Sequence, residues 1–508
     1  MIGAAGPDQA HDTGDTDRPG PPISRREALG LLAAGTVTAG ATLWWQLDGE
    51  PERLTPEAEA PLAQPAMLDS RAGRIHLELT AAAGARVAGK QSAAYGYNGQ
   101  SPGPTIRVRP GDRISLRLTN RLDRTTNLHT HGLRVSPAGA GDNPFREVPA
   151  GGSFDYTIQL PQDHPPGTFW YHPHHHGTAA DQIFGGLLGA LLVVPAAGQN
   201  DVEVSADRVL MISDITLNRR GEIVAVSDSD RTIGREGELL LLNGQYRPTI
   251  RMQSGQWERW RLVNACTSRV LDLRLRHNDL LQIAVDGNTL PSPIAAATIR
   301  LSPGNRADVL VQGGEPGLDV LRAEPVDRGS FGRARPSTKT EVLATVVVSV
   351  PPGPRTPLPA LPPAYQPSMA VVSRRRVLLL TMGQSMNDMG FGIDDRSYDP
   401  LRDDQRVDFG TTEEWMLQNV GPLAHPFHLH VWPFLVLETS DQQPAMGALQ
   451  DVVLVPARGW ARIRIPFVGH TGRSVYHCHI VDHSDHGMMG TINVSAAAPT
   501  RPDTPAAR

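Results

Sequence analysis

Along much of this chain apolar residues recur at every second position. Ile114, Leu116 and Leu118 alternate with Arg113, Ser115 and Arg117, and Ile106 and Val108 alternate with arginines. On an extended strand residues two apart share a face, so this is the signature of a half-buried strand. Turn sequences such as Pro110-Gly111-Asp112 and Pro303-Gly304-Asn305 interrupt the runs at spacings suited to a sandwich of short strands, and long runs of helical period are hard to find. The pattern predicts an all-β protein.

The pattern is also repeated. Asn98-Gly99-Gln100, Pro104-Thr105-Ile106-Arg107, Gly111 and Arg117-Leu118-Thr119-Asn120 are matched by Asn243-Gly244-Gln245, Pro248-Thr249-Ile250-Arg251, Gly255 and Arg261-Leu262-Val263-Asn264, with an identical interval from Pro to the last Asn. A diverged third copy keeps Gly410 and Asn419 at the same Gly-to-Asn interval. One unit met three times predicts three β-sandwiches in series, in line with 508 residues, which exceed one typical core. The expected division is a leader and flexible spacer over 1–73, a first domain over 74–200, and a second over 201–350. A Pro-rich linker over 351–367, a third domain over 368–496 and a disordered tail over 497–508 complete it.

Charge and cysteine content narrow the function. A net charge of -5 with scattered basic residues leaves no footprint for nucleic acid. Two cysteines, Cys266 and Cys478, exclude a disulfide framework. Ser24-Arg25-Arg26 precedes a weakly apolar stretch from Ala28 to Trp45, the arrangement of a signal read by the twin-arginine export machinery. The expected location is therefore periplasmic or extracellular. Gly30, Gly35 and Gly40 make that stretch a poor spanning helix, so no stable membrane insertion is expected after export. Ala39-Gly40-Ala41 and Ala58-Glu59-Ala60 both suit cleavage.

The copies differ in what they carry. Nine residues after Asn120 comes His129-Thr130-His131, and nine after Asn419 comes His428-Leu429-His430. The same step from Asn264 reaches Leu273-Arg274-Leu275, which assigns the middle unit a spacer or scaffold role. Later in the outer copies Tyr171-His172-Pro173-His174 corresponds to Tyr476-His477-Cys478-His479. Four His-x-His pairs each present two imidazoles to one face, and eight converging imidazoles imply a metal cluster between the outer units. Cys478, between His477 and His479, points to the opposite face. With His425, His483 and Met488 it makes two imidazoles, a thiolate and a weak thioether, the donor set of a blue-copper centre. A structural zinc site would more often carry further cysteines and no methionine.

These residues resemble the multicopper oxidase family in the form shared by laccases, bilirubin oxidases and bacterial cuprous oxidases. The stretches are HTHG at His129, WYHPH ending at His174, HPFHLH from His425 and HCHIVDHSDHGM from His477 to Met488, and the resemblance spans roughly 74–494. It implies cupredoxin-like Greek-key domains and four copper ions, one type 1, one type 2 and two type 3. His425, Cys478 and His483 with axial Met488 would hold the type 1 ion, and His129 with His428 the type 2 ion. His131, His172 and His479 would hold one type 3 ion, and His174, His430 and His477 the other. His483 would be the more exposed type 1 ligand and the entry point for electrons, and Asp142 resembles the family's acid near the cluster. Ser484, with Asp485 next, stands where bacterial relatives often have an acid.

The implied activity is one-electron oxidation of a phenol or aromatic amine coupled to reduction of dioxygen to water. A metal-ion donor, Cu(I), Fe(II) or Mn(II), is the alternative; a copper nitrite reductase or a non-catalytic scaffold fits the complete donor set less well. An axial Met predicts a moderate type 1 potential. His175, His176, His164, His470 and His486 are read as lying outside the metal sites, Cys266 as a small buried hydrophobe, and Met382, Met386 and Met389 as a weak candidate for a substrate-copper site.

Overall fold

The computed structural model describes residues 55–365, 369–383, 390–443 and 445–496. The Arg25-Arg26 export segment, Met386, Met389 and the tail lie outside the described residues. Sequence alternation becomes alternating burial: along Arg113–Asn120, Ile114, Leu116 and Leu118 are buried between more exposed neighbours. Six sheets of four to six strands form, two to each stretch of chain, and each pair closes over one apolar core.

The five-stranded sheets of the three sandwiches repeat one order. In the first, Thr105–Val108, Gly189–Val193, Gly167–His172 and His129–His131 lie side by side. The second has Thr249–Met252, Glu341–Val348, Gly317–Pro325 and Leu271–Leu275 in those places, and the third has Gln405–Asp408, Met489–Ser495, Gly472–Cys478 and His425–Leu429. In every case the first two strands are parallel and the rest antiparallel. Spatial order departs from chain order as in a Greek key. Leu271–Leu275 thus occupies the place of the histidine strands, as the step from Asn264 predicts.

The asparagine that ends each repeat has the same task three times. Asn120 Nδ2 donates to the carbonyls of Arg124 and Val148 at 2.8 and 2.9 Å, and its Oδ1 accepts from Leu122 N–H. Asn264 does this with Arg269, Leu301 and Cys266, and Asn419 with Leu423, Pro456 and Gly421. A buried amide satisfies three backbone groups where the chain leaves the sheet.

One boundary differs from expectation. The segment expected as flexible spacer is laid down from Glu57 onward: Glu57 N–H donates to Ala88, Leu62 N–H donates to Thr249, and Met67–Asp69 adds a parallel strand beside Thr105–Val108. The edges of two sandwiches offer unpaired backbone groups, and pairing with them overrides a composition that by itself favours no structure. The Pro-rich linker is likewise pinned, with Thr356 bonded to Gly255, Trp257 and Gln312. No helix among the described residues is long and apolar enough to cross a membrane.

Replacing Asn264 by Leu leaves two carbonyls and an N–H buried without partners. At about 1–3 kcal/mol for each orphaned group, a loss of at least about 3 kcal/mol is expected. Calorimetry should show a lowered Tm, and an unchanged Tm would refute this role.

Candidate metal centres

Sheet register does the first part of the assembly. His129 stands opposite His172 in the first sandwich, and His428 stands opposite His477 in the third. The two histidine edges face one another: His129 stacks on His430, and His131 on His428, each with ring centroids 3.9 Å apart. All eight imidazoles are buried. Strand alternation aims only the pair His129 and His131 from within one strand. His174, His430 and His479 lie just past the ends of their strands, where the turning chain brings them to the same place.

Hydrogen bonds then fix which ring nitrogen faces inward. A carbonyl only accepts, so the Nδ1 atoms of His172, His428 and His477 must carry hydrogen, donating to the carbonyls of Pro173, Asp451 and Cys478 at 2.8, 2.7 and 3.0 Å. The Asp142 carboxylate takes the Nδ1 hydrogen of His129 at 2.9 Å. Each of these four rings is left with an Nε2 lone pair directed into the seam. His174 Nε2 and His430 Nε2 approach His477 Nε2 at 2.9 and 3.3 Å, while His129 Nε2, His428 Nε2 and both nitrogens of His479 are buried with no protein partner. Burial pushes these imidazoles below their usual pKa, His172 to about 3 and His477 to about 4, which favours the neutral ring. Facing lone pairs buried in a seam without protein donors to meet them are the donor arrangement of a cation cluster. Donor atoms of His174, His430 and His477 lie within 4.8 Å of one another, as do those of His129, His428 and His430. His131, His172 and His479 gather with ring centroids 5.1–5.8 Å apart.

The second site uses the opposite ring nitrogen. Cys478 Sγ lies 3.4 Å from His425 Nδ1 and 3.8 Å from His483 Nδ1, and the two Nδ1 atoms are 3.3 Å apart. His483 Nε2 donates to the Thr232 carbonyl at 2.9 Å, which frees its Nδ1 lone pair. Met488 is fully buried beside them, its carbonyl accepting from Cys478 N–H at 3.0 Å. Burial pushes the Cys478 thiol up to about 12, so its thiolate forms when a cation is present to hold it. The residues therefore fit a soft, thiolate-binding metal such as copper.

His483 departs from the expectation that it is exposed. It is fully buried, capped by Thr232 and stacked on Phe391 with ring centroids 4.4 Å apart. The cap comes from the second sandwich, on the short helix Asp228–Ile233, and Ile233, Phe331 and Leu423 extend it as an apolar cluster.

The second sandwich also reaches the cluster, so it is more than a spacer. Arg306 clamps Asp451 with two bonds of 2.6 and 2.7 Å and donates to the Thr168 carbonyl of the first sandwich. Asp451 in turn accepts from His131 Nε2 at 2.9 Å, and Asp286 receives the Asp451 and Val452 N–H groups. This clamp explains the glycine of HTHG: a Cβ on Gly132 would land on the Arg306 guanidinium and 2.7 Å from Asp451 Oδ2. A Cβ on Gly304 would lie 2.9 Å from His479 and 3.0 Å from His131. Sequence reading missed Asp451, Arg306, Asp286 and Thr232. The available signal was a charge set against an apolar strand, in Asp451-Val452-Val453 and Arg306-Ala307-Asp308-Val309; a backbone carbonyl such as that of Thr232 leaves none.

Asp142 stands where the resemblance implies, held by Thr130 N–H at 2.8 Å and by His129, and burial pushes it up to about 7. Asp485 accepts from Gly177 and Ala180 N–H and lines a small cavity with His172, His174, His477 and His479. His175 leans towards Glu147, His176 packs on Tyr398, His164 and His470 bond backbone carbonyls, and His486 bonds that of Asp482. Cys266 is buried in the core of the second sandwich, and Met382 packs against the apolar cap.

Comparison with known proteins agrees with this architecture. Family models described as multicopper oxidase match residues 80–198, 206–345 and 372–498, one to each sandwich. A multicopper oxidase, mco, of Staphylococcus haemolyticus is 29% identical, the match covering 80% of this chain and 84% of the relative. The cell division protein FtsP of Edwardsiella tarda is 30% identical over 86% of this chain and 89% of its own. Among solved structures, a multicopper oxidase from Campylobacter jejuni described as a metallo-oxidase superposes with a TM-score of 0.77 at 28% identity, covering 88% of this chain and 98% of that one. Three consecutive sandwiches that answer in order to models described as multicopper oxidase, together spanning well over half of the chain, establish that the chain belongs to the multicopper oxidase family.

Proposed function

We propose that this protein oxidises a small reducing substrate one electron at a time and reduces dioxygen to water, using one type 1, one type 2 and two type 3 copper ions. The observation that carries the reading is the opposed set of locked tautomers: Nε2 lone pairs meet in the seam, and the His483 Nδ1 lone pair meets the Cys478 sulfur. Bound copper would supply the redox chemistry, with single electrons taken up at the thiolate site and dioxygen reduced at the three-ion cluster. His425, Cys478, His483 and Met488 hold the first ion. His129 and His428 hold the type 2 ion, and His131, His172, His479 and His174, His430, His477 the type 3 pair. Cys478 is bonded through the backbone to His477 and His479, so one short peptide joins the two sites. Asp142 orients His129 through its Nδ1 and, buried beside the cluster, is placed to exchange a proton there.

The donor is a phenol or an aromatic amine in this reading. The region next to His483 is apolar, with Phe391 stacked on the ring and Ile233, beside the Thr232 cap, packed with Phe331 and Leu423, surroundings that suit an aromatic donor better than a hydrated cation. A metal-ion donor is the second reading, favoured by the metallo-oxidase description of the Campylobacter jejuni structure and by Met382 in the same cap. A non-catalytic role, which the cell division name of FtsP raises, leaves the converging buried histidine and cysteine donors without a purpose. Export by the twin-arginine route would place the chemistry in the periplasm or outside the cell.

Oxygen uptake measured side by side with a phenol, an aromatic diamine, Cu(I), Fe(II) and Mn(II) should be fastest with an aromatic donor and release no peroxide. A colourless copper-loaded protein, or one holding far fewer than four copper ions, refutes the proposal. Cys478→Ser should lose both the blue absorption and donor oxidation. Asp142→Ala should keep the blue absorption while oxygen uptake falls roughly 10–100-fold, the usual effect of removing a group that orients a metal ligand; full activity in that variant would remove Asp142 from the site.

A further inference from the structure

Among the charged side chains of the second sandwich, Arg328 stands in a place that the metal sites by themselves do not require. It is fully buried, at 1% exposure. Its carbonyl accepts from the N–H of Ala424, the residue before His425, at 2.7 Å. Its guanidinium donates twice to the Ile233 carbonyl at 3.2 Å, one peptide beyond the Thr232 carbonyl that holds His483. The counter-charge is Glu236 at 3.0 Å, itself bonded by Ser337 N–H and 3.7 Å from Arg269. The backbone and guanidinium of one arginine thus flank both histidines of the thiolate site, and its partner carboxylate lies among groups of the second sandwich.

We infer that Arg328 is a positioning and charge-setting residue that raises the reduction potential of the type 1 site. The inference rests on the copper assignment proposed above. A fixed positive charge beside a metal disfavours the oxidised, more positive ion relative to the reduced one, and in a buried setting little water screens it. The axial Met488 alone points to a moderate potential, and Arg328 displaces it upward.

The test is a spectroelectrochemical titration of the copper-loaded protein, read from the blue absorption. Arg328→Met should lower the potential by about tenfold in the equilibrium with a one-electron mediator, about 59 mV, and Arg328→Lys should restore most of it. Glu236→Gln removes the counter-charge and should move the potential the opposite way. A blue Arg328→Met protein with the wild-type potential overturns the inference. Should that variant fail to fold, an unmoved potential in Glu236→Gln overturns it equally. A wild-type protein without blue absorption refutes the copper assignment itself, which is a separate outcome.

Discussion

The structure turns on a set of short hydrogen bonds from Nδ1 of four cluster imidazoles to fixed acceptors on the outer side of each ring. Three of those acceptors are backbone carbonyls, of Pro173, Asp451 and Cys478, and the fourth is the Asp142 carboxylate. They decide, before any metal arrives, that the Nε2 lone pairs of His172, His428, His477 and His129 face inward. Burying such lone pairs against one another is unfavourable by several kcal/mol per group unless something positive is placed between them. Sandwich one and sandwich three are therefore complementary in a particular sense: each supplies half of a donor set that neither can satisfy by itself.

The middle sandwich carries no ligand and still governs both sites. Its Arg306 fastens Asp451 against His131, and its Thr232 carbonyl orients His483 and closes the edge through which a donor would have touched that ring. Arg235 does the same for the backbone around His483, pairing with the fully buried Asp482 and with Asp181 of the first sandwich. Buried ion pairs of this kind add little net stability, because desolvation offsets most of the attraction. What they provide is a fixed geometry among the three sandwiches. Arg306 shows this most directly, since its side chain bonds the first and third while rooted in the second.

Which ring nitrogen faces inward follows from where an acceptor stands. At His129, His172, His428 and His477 the outer nitrogen is Nδ1 and the inner one Nε2; at His131 and His483 the order reverses, because the available acceptors, the Asp451 carboxylate and the Thr232 carbonyl, sit at the far tip of the ring. Cys478 stands between these choices, its own carbonyl orienting His477 while its sulfur faces His425 and His483. One strand end thus sets the tautomer on one side and the thiolate on the other.

Much of this was legible in the residues alone. Alternation announced the sandwiches, the repeat announced three of them, and the parity of Cys478 against His477 set the sulfur apart from the imidazole beside it, all because strand geometry relates neighbours in sequence to neighbours in space. The repeated asparagines were visible as a pattern, although their task of satisfying three backbone groups was not. Tertiary structure alone decided that His483 is sealed, that Asp451 stands behind His131, that Arg306 of the second sandwich fastens it there, that Arg328 bonds the backbone next to His425 and the Thr232 cap, and that residues from Glu57 onward are pinned rather than loose. Those contacts join positions far apart in the chain, several through a backbone carbonyl that every residue possesses. No local period encodes them, and they exist only once the three sandwiches have docked.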